Sequence, residues 1–138
     1  MIRTYRPEDA EGVKQLTDTV MQGLFNQESR NVSDLDDIEG QYRVFYVFEE
    51  DGKIVGSVGI CDDEEGARLR RMYVDPDHRR QGIGKKLLAS AISYCHDEGY
   101  GRVVLSTYIE MIDALRFYIE HGFVAYKRGN RIHMRLDI

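Results

Sequence analysis

One continuous stretch, Ala67 to Gly99 (ARLRRMYVDPDHRRQGIGKKLLASAISYCHDEG), constrains this chain more than any other. Residues 67 to 74 carry β-branched and aromatic character at Tyr73 and Val74 and stop at Asp75-Pro76, the pattern of a strand closed by a breaker. A basic turn with two glycines follows, His78-Arg79-Arg80-Gln81-Gly82-Ile83-Gly84. Beyond it Ile83, Leu87, Leu88, Ala91, Ile92 and Cys95 recur at helical spacing, with Lys85, Lys86, Ser93, Asp97 and Glu98 on the other side. The spacing predicts an amphipathic helix that ends near Gly99.

A strand, a glycine turn and a helix in that order make a site for an anion. The first amides of a helix have no internal partner, and the helix dipole adds positive potential there. Glycines let a ligand come close to that backbone, and Arg79, Arg80, Lys85 and Lys86 raise the potential further, so a phosphate or pyrophosphate is expected at the turn. Two familiar phosphate loops are excluded by the letters. Counting back from Gly84-Lys85, the P-loop pattern would need glycine where Arg79 stands and a hydroxyl where Lys86 stands. The dinucleotide pattern needs three glycines, and only Gly82 and Gly84 are present.

At 138 residues the chain is expected to form one domain, of ordinary globular composition with 42% hydrophobic and 31% charged residues. No apolar run reaches the roughly 18 residues of a membrane span, and MIRTYRPEDAEG lacks the apolar core of a signal peptide, so a cytoplasmic location is expected. A net charge of −5 argues against a nucleic-acid partner. The basic residues crowd between Arg68 and Lys86, which on an acidic chain suits a small anionic ligand. No Cys or His pair has metal-ligand spacing, and Cys61 and Cys95 are expected as reduced thiols.

Read in order, Met1 to Tyr5 suggests an edge strand, and Arg6-Pro7-Glu8-Asp9 opens a helix with Val13, Leu16, Val20, Met21 and Leu24 on its apolar face. Residues 26 to 41 are polar and acidic, through Glu28, Asp34, Asp36, Asp37 and Glu39, with Ser33 a candidate cap for a short second helix. Tyr42 to Phe48 and Ile54 to Ile60 form a hairpin pattern around Glu50-Asp51-Gly52-Lys53, and the 67 to 74 strand follows as a third antiparallel strand. Arg102 to Thr107 reads as a buried strand parallel to it, reached through the helix. A helix over Met111 to His121, closed by Gly122, and two strands near 123 to 128 and 132 to 138 complete the chain.

The motif Arg79-x-x-Gly82-x-Gly84 after Met72-Tyr73-Val74-Asp75-Pro76 resembles the central acyl-CoA motif of the GNAT superfamily of N-acetyltransferases. Ala114, Tyr118, Gly122 and Phe123 resemble the same family's A-x-x-x-Y-x-x-x-G-F signature, so the likeness covers residues 67 to 126 or so. It implies a three-layer α-β-α sandwich with a mixed, mostly antiparallel sheet, and acetyl-CoA as co-substrate. It further implies that the backbone of Met72, Tyr73 and Val74 pairs with pantetheine, with the Met72 N–H as a candidate donor to the thioester oxygen. Pyrophosphate contacts fall on Arg79, Arg80, Gln81, Gly82, Ile83, Gly84 and Lys85, and Ala114 and Tyr118 flank the arm. Tyr118 is the implied acid for the leaving thiolate, since a phenol with pKa near 10 matches a thiol in basicity; on the helix pattern alone it is a buried aromatic.

The resemblance fails in two places. Some relatives put a glutamate base where this chain has Arg68, which cannot accept a proton; an acid from 28 to 39, Glu110, His133 or a water chain are the remaining candidates. Met111 stands where many relatives have an asparagine that bonds the pantetheine arm. The expected activity is direct acetyl transfer to a primary amine of a small molecule or peptide, with a non-catalytic acyl-CoA sensor or interaction module as the alternative. The acidic stretch suits a cationic acceptor and Arg68, Arg70 and Arg71 suit an acidic one, and the sequence leaves both open. A homodimer exchanging or pairing the two C-terminal strands is compatible with the sequence.

Overall fold

The structure, a computed structural model, describes residues 1–22 and 31–138. A seven-stranded sheet runs through the molecule: β1 (Ile2–Thr4), β2 (Val44–Glu50), β3 (Lys53–Asp63), β4 (Gly66–Val74), β5 (Arg102–Tyr108), β6 (Val124–Arg128) and β7 (Arg131–Asp137). Four helices accompany it: α1 (Ala10–Met21), the single turn α2 (Ile38–Gln41), α3 (Ile83–Asp97) and α4 (Ile112–Glu120). The spatial order is β1-β2-β3-β4-β5-β7-β6, with every neighbouring pair antiparallel except β4 and β5. This is the expected α/β three-layer sandwich. Placement of β7 inside β6 was not legible in the sequence, because two short strands around a tight turn can add in either order.

Each face of the sheet has its own core. Val13, Leu16 and Val20 of α1 bury against Phe45, Val47 and Ile54, together with Leu35, Ile38 and Tyr42. On the other face Ile83, Leu87, Leu88, Ala91 and Cys95 of α3 pack on Val55, Val58, Leu69, Val103 and Leu105, with Tyr118 and Phe123 alongside. Gly56 is what lets α3 sit this close, since a Cβ there would stand 2.8 Å from Leu87 Cδ1 and 3.0 Å from Ile83 Cγ2. Burial of these apolar faces, at roughly 25 cal/mol per Å², is the main force holding the layers together.

Several expectations shift locally. Asp37, rather than Ser33, caps the short second helix: its carboxylate accepts from Gly40 N at 3.1 Å, while Ser33 lies in a 3-10 turn (Ser33–Asp36) and its hydroxyl donates to Asn31 Oδ1. Tyr42 leaves the strand and closes α2 instead, with its N–H bonded to Ile38 O. Leu24 and Glu28 lie outside the described residues. Both cysteines are free thiols, as expected. Among the described residues no helix is long and apolar enough to cross a membrane, and no group of three His, Cys, Asp or Glu could hold a metal ion.

Candidate active site

The decisive geometry is the parting of β4 from β5. Only Ala67↔Val103 and Arg68↔Val104 are in register, so β4 runs on from Leu69 to Val74 with no strand partner along that edge among the described residues. The cause lies on its other side, where Ser57 pairs with Tyr73 but Gly59 pairs with Arg70, so β4 carries one extra residue. Arg71 absorbs this bulge with φ of +55°, and Ser57 Oγ secures it by donating to the Arg71 carbonyl at 2.7 Å. A bulge bends and twists its strand, and here it leads β4 away from its parallel neighbour.

The strand then delivers the chain to the glycine turn. Asp75 accepts from Asp77 N at 2.9 Å and closes a 3-10 turn over Pro76–His78. Arg80 and Gly82 take positive φ of 65° and 79° on either side of Gln81. Lys86 N–H is the first to reach a helical carbonyl, Gly82 O at 3.1 Å, so the amides of Ile83, Gly84 and Lys85 have no backbone partner among the described residues. Nothing stands within 4 Å of where a Gly82 Cβ would project, which leaves the approach to those amides open. Arg79, Arg80 and Gln81 are exposed around it. The Arg79 Nε also donates to the Val74 carbonyl at 3.3 Å, so that oxygen on the β4 edge is already engaged.

Tyr118 stands on the α3–α4 face of the gap. It is 6% exposed, packed edge-on against Phe117 and Phe123, and α4 tightens behind it through Phe123 N to Tyr118 O at 3.0 Å. Its hydroxyl has no hydrogen-bond partner among the described residues and is not fully enclosed. Burial pushes its ionisation well above that of an ordinary phenol, with Tyr73 adding to the effect, so it stays a proton donor at neutral pH. Ala114 and Phe117 pack near it, and a Cβ at Gly84 would stand 3.6 Å from the Phe117 ring. Met111 stands at the N-cap of α4, with its sulfur accepting from Thr107 Oγ1 at 3.5 Å.

The opposite face of the gap opens into a cavity of about 590 Å³ whose walls include Asp34, Arg68, Arg70, Arg71, Tyr73 and Ser106. Arg68 is held by Asp63 Oδ1 at 2.8 Å and donates to Ser106 Oγ at 3.2 Å; Ser106 Oγ lies 2.9 Å from His133 Nδ1. Of the base candidates in the sequence, Asp34 faces the cavity but is not available. Burial alone would raise its pKa, yet hydrogen bonds from Arg71 and Tyr42 win and hold it below the ordinary carboxylate range. The Ser106–His133 pair was not readable as a pair, since the partners lie far apart in sequence and meet only through the β5–β7 register.

A sheet that parts in front of an open helix N-terminus, with a phenol on one face and a polar cavity on the other, has the shape to take a long phosphate-bearing ligand edgewise and leaves room for a second reactant on the far side. The sequence profile of the Acetyltransferase (GNAT) family matches residues 11–123, and the chain belongs to that family. Human N-acetyltransferase 8 is 35% identical over 102 residues, covering 66% of this chain and 45% of that protein, so the chain spans a little under half its relative's length. A GNAT-family acetyltransferase from Staphylococcus aureus Mu50 superposes with a TM-score of 0.89 at 25% identity, over 99% of this chain and 98% of that one. A GNAT-family acetyltransferase from Brucella melitensis in complex with acetyl-CoA superposes with a TM-score of 0.78 at 23% identity, over 100% and 87% of the two chains.

Proposed function

We propose that this protein is an acetyl-CoA-dependent N-acetyltransferase that moves the acetyl group directly to a primary amine. The observation that carries the reading is the unpartnered β4 edge leading straight to the unpartnered amides of Ile83, Gly84 and Lys85. These residues fit the co-substrate: an extended polar arm along the edge, a pyrophosphate at the amides, and open space over Gly82. The acetyl-CoA bound by the Brucella relative supports the same assignment.

Acetyl-CoA supplies the acetyl group as a thioester. The protein's own residues then do the following work. Arg79, Arg80, Gln81, Gly82, Ile83, Gly84 and Lys85 hold the pyrophosphate, and Met72, Tyr73 and Val74 align the arm, with Ala114 against its side. The Met72 N–H donates toward the thioester oxygen, where negative charge develops. Tyr118 gives its proton to the departing sulfur. His133 accepts the proton of the attacking amine through Ser106: Arg68 donates to Ser106 Oγ, which leaves the serine's own proton free to pass to His133 Nδ1. Transfer is direct, because burial pushes the Cys61 thiol up and the Cys95 thiol up to about 11, and neither serves as a nucleophile at neutral pH.

A single catalytic unit over residues 1–138, a cytoplasmic location and a homodimer paired through the exposed β6 edge belong to the same proposal. The test is calorimetric titration with acetyl-CoA followed by thiol release across a panel of amines. Binding with turnover on any amine is the expected result. Binding with no turnover on any amine would favour the acyl-CoA sensor, for which Arg68 in place of a glutamate is the supporting observation. Absence of binding would overturn both.

A further inference from the structure

The cavity on the α1 face is the least explained part of the molecule, because its charge opposes that of the chain. Among the described residues four arginines, Arg68, Arg70, Arg71 and Arg131, line it against one aspartate, Asp34, while the protein as a whole carries −5. Two of these arginines are spent internally. Arg71 directs Nε and Nη2 to Asp34 at 3.0 and 2.6 Å and two further N–H donors to Asn31 O and Tyr73 Oη. Arg68 is held by Asp63 and Ser106. Asp34, the acid that would recruit a cationic acceptor, is consumed in the same way by Arg71 and the Tyr42 hydroxyl.

Arg70 and Arg131 are different. Arg70 lies over the Tyr42 ring at 5.9 Å, its one carboxylate partner among the described residues is Asp34 at 3.9 Å, a long ion pair to an acid that Arg71 already holds, and its side chain is 40% exposed. Arg131 stacks over the Tyr108 ring at 4.7 Å and donates one N–H to the Tyr108 hydroxyl, with no carboxylate within ion-pair distance among the described residues. Stacking fixes each guanidinium plane while leaving donors for a ligand, and a fixed guanidinium fork suits a planar carboxylate. A cavity whose described lining carries more positive than negative charge also concentrates anions at its mouth.

We infer that the acceptor is an amine that itself carries a carboxylate, which Arg70 and Arg131 hold while the amine faces the gap between β4 and β5. This rests on the acyl-transfer reading of the site and names the substrate class that reading leaves open. An amino acid or short peptide has the required chemistry, whereas a polyamine meets like charge.

The test has two arms. Acetyl-CoA titration, read alone, reports on the acyl-transfer reading. Thiol release is then measured with matched acceptors: L-phenylalanine against phenethylamine and L-phenylalaninamide, L-ornithine against putrescine, and O-phosphoethanolamine against ethanolamine to separate carboxylate from phosphate recognition. Carboxylate-bearing members are expected to exceed their neutral or cationic partners in kcat/KM by about tenfold or more, the worth of one charge-assisted hydrogen bond. The Arg70→Gln/Arg131→Gln variant should raise KM for those members about tenfold, with kcat and acetyl-CoA affinity within about twofold of the parent. Equal rates across each pair, a preference confined to O-phosphoethanolamine, or a variant that weakens all acceptors alike would overturn the inference. If no acceptor turns over, N-acetyl-L-phenylalanine and N-acetylphenethylamine are titrated into the CoA-saturated protein; preferential binding of the carboxylate would uphold the inference, and no preference would overturn it. Should acetyl-CoA itself fail to bind, the same two probes are titrated into the protein alone and are read the same way.

Discussion

Arg71 grips Asp34 with two parallel N–H donors, at 3.0 and 2.6 Å, across the line where the helical layer meets the bulge of β4. Both side chains are less than 10% exposed, and the Tyr42 hydroxyl completes the cluster at 2.5 Å from Asp34 Oδ2. Removing one partner strands a charge in a buried place. Asp34→Ala should therefore destabilise the fold by about 3 kcal/mol or more, read from the urea midpoint. A loss under about 1 kcal/mol would show that the pair is screened as surface pairs are.

The same cluster sets an acid limit on stability. A carboxyl whose pKa is depressed on folding binds fewer protons in the folded than in the unfolded state. Its contribution is then complete above the ordinary value of about 3.9 and is lost as pH falls through the depressed one. Asp34 is depressed in this sense, and so is Asp9, held first by Arg3 at 2.7 and 2.8 Å. Denaturant midpoints should hold level near neutrality and fall below about pH 4, with a shallower fall in Asp34→Asn. Equal slopes in the two proteins would remove Asp34 from the explanation.

Tyr118→Phe deletes a hydroxyl that has no hydrogen-bond partner among the described residues. Turnover should drop about a hundredfold while acetyl-CoA affinity and thermal midpoint stay near those of the parent. Because burial raises this phenol's ionisation, no Tyr118 limb should appear in the kcat profile below about pH 10. Undiminished turnover would take the acid role away from Tyr118.

Gly82→Glu puts a carboxylate into open space at the unpartnered amides and forces a side chain onto a residue at φ of +79°. The backbone should pay roughly 1 kcal/mol in stability, and acetyl-CoA binding should disappear from the calorimetric trace. Retained affinity in a folded variant would mean that the pyrophosphate sits elsewhere.

If Ser106 and His133 form one proton path, their losses cannot add. Ser106→Ala and His133→Gln should each lower kcat by about tenfold to a hundredfold with acetyl-CoA affinity unchanged, and the double variant should be no worse than the poorer single one. Added imidazole should restore part of the His133→Gln loss. Additive losses would separate the two residues.

The strands and helices that could be read from the sequence were those with strong periodicity and a clear stop. The helix α3 kept its apolar set, with Ile83, Leu87, Leu88, Ala91 and Cys95 buried and Ile92 half-buried. The phosphate turn was legible because its chemistry is local: glycines, arginines and a helix start all lie within a few residues. The cavity was not, since it depends on Arg131 and Ser106 arriving from strands remote from Arg68 and on the bulge at Arg71 turning its side chain to Asp34. Three arginines on a strand read as a charged face in sequence. Only their partners separate Arg71, which is held in hydrogen bonds to Asp34, from Arg70, which stands at the limit of ion-pair distance from the same carboxylate.

An unpaired strand edge inside a sheet carries a hazard besides its use. A row of free N–H and C=O groups is a template on which a strand from another molecule can add, the first step of aggregation. β4 holds two of the devices by which proteins blunt such edges: a positive charge on the free stretch, at Arg70, and a bulge that breaks the straight run of backbone. The features that shape the gap for its ligand therefore also guard the empty protein against its own copies, so that this stretch of β4 answers to solubility as well as to chemistry.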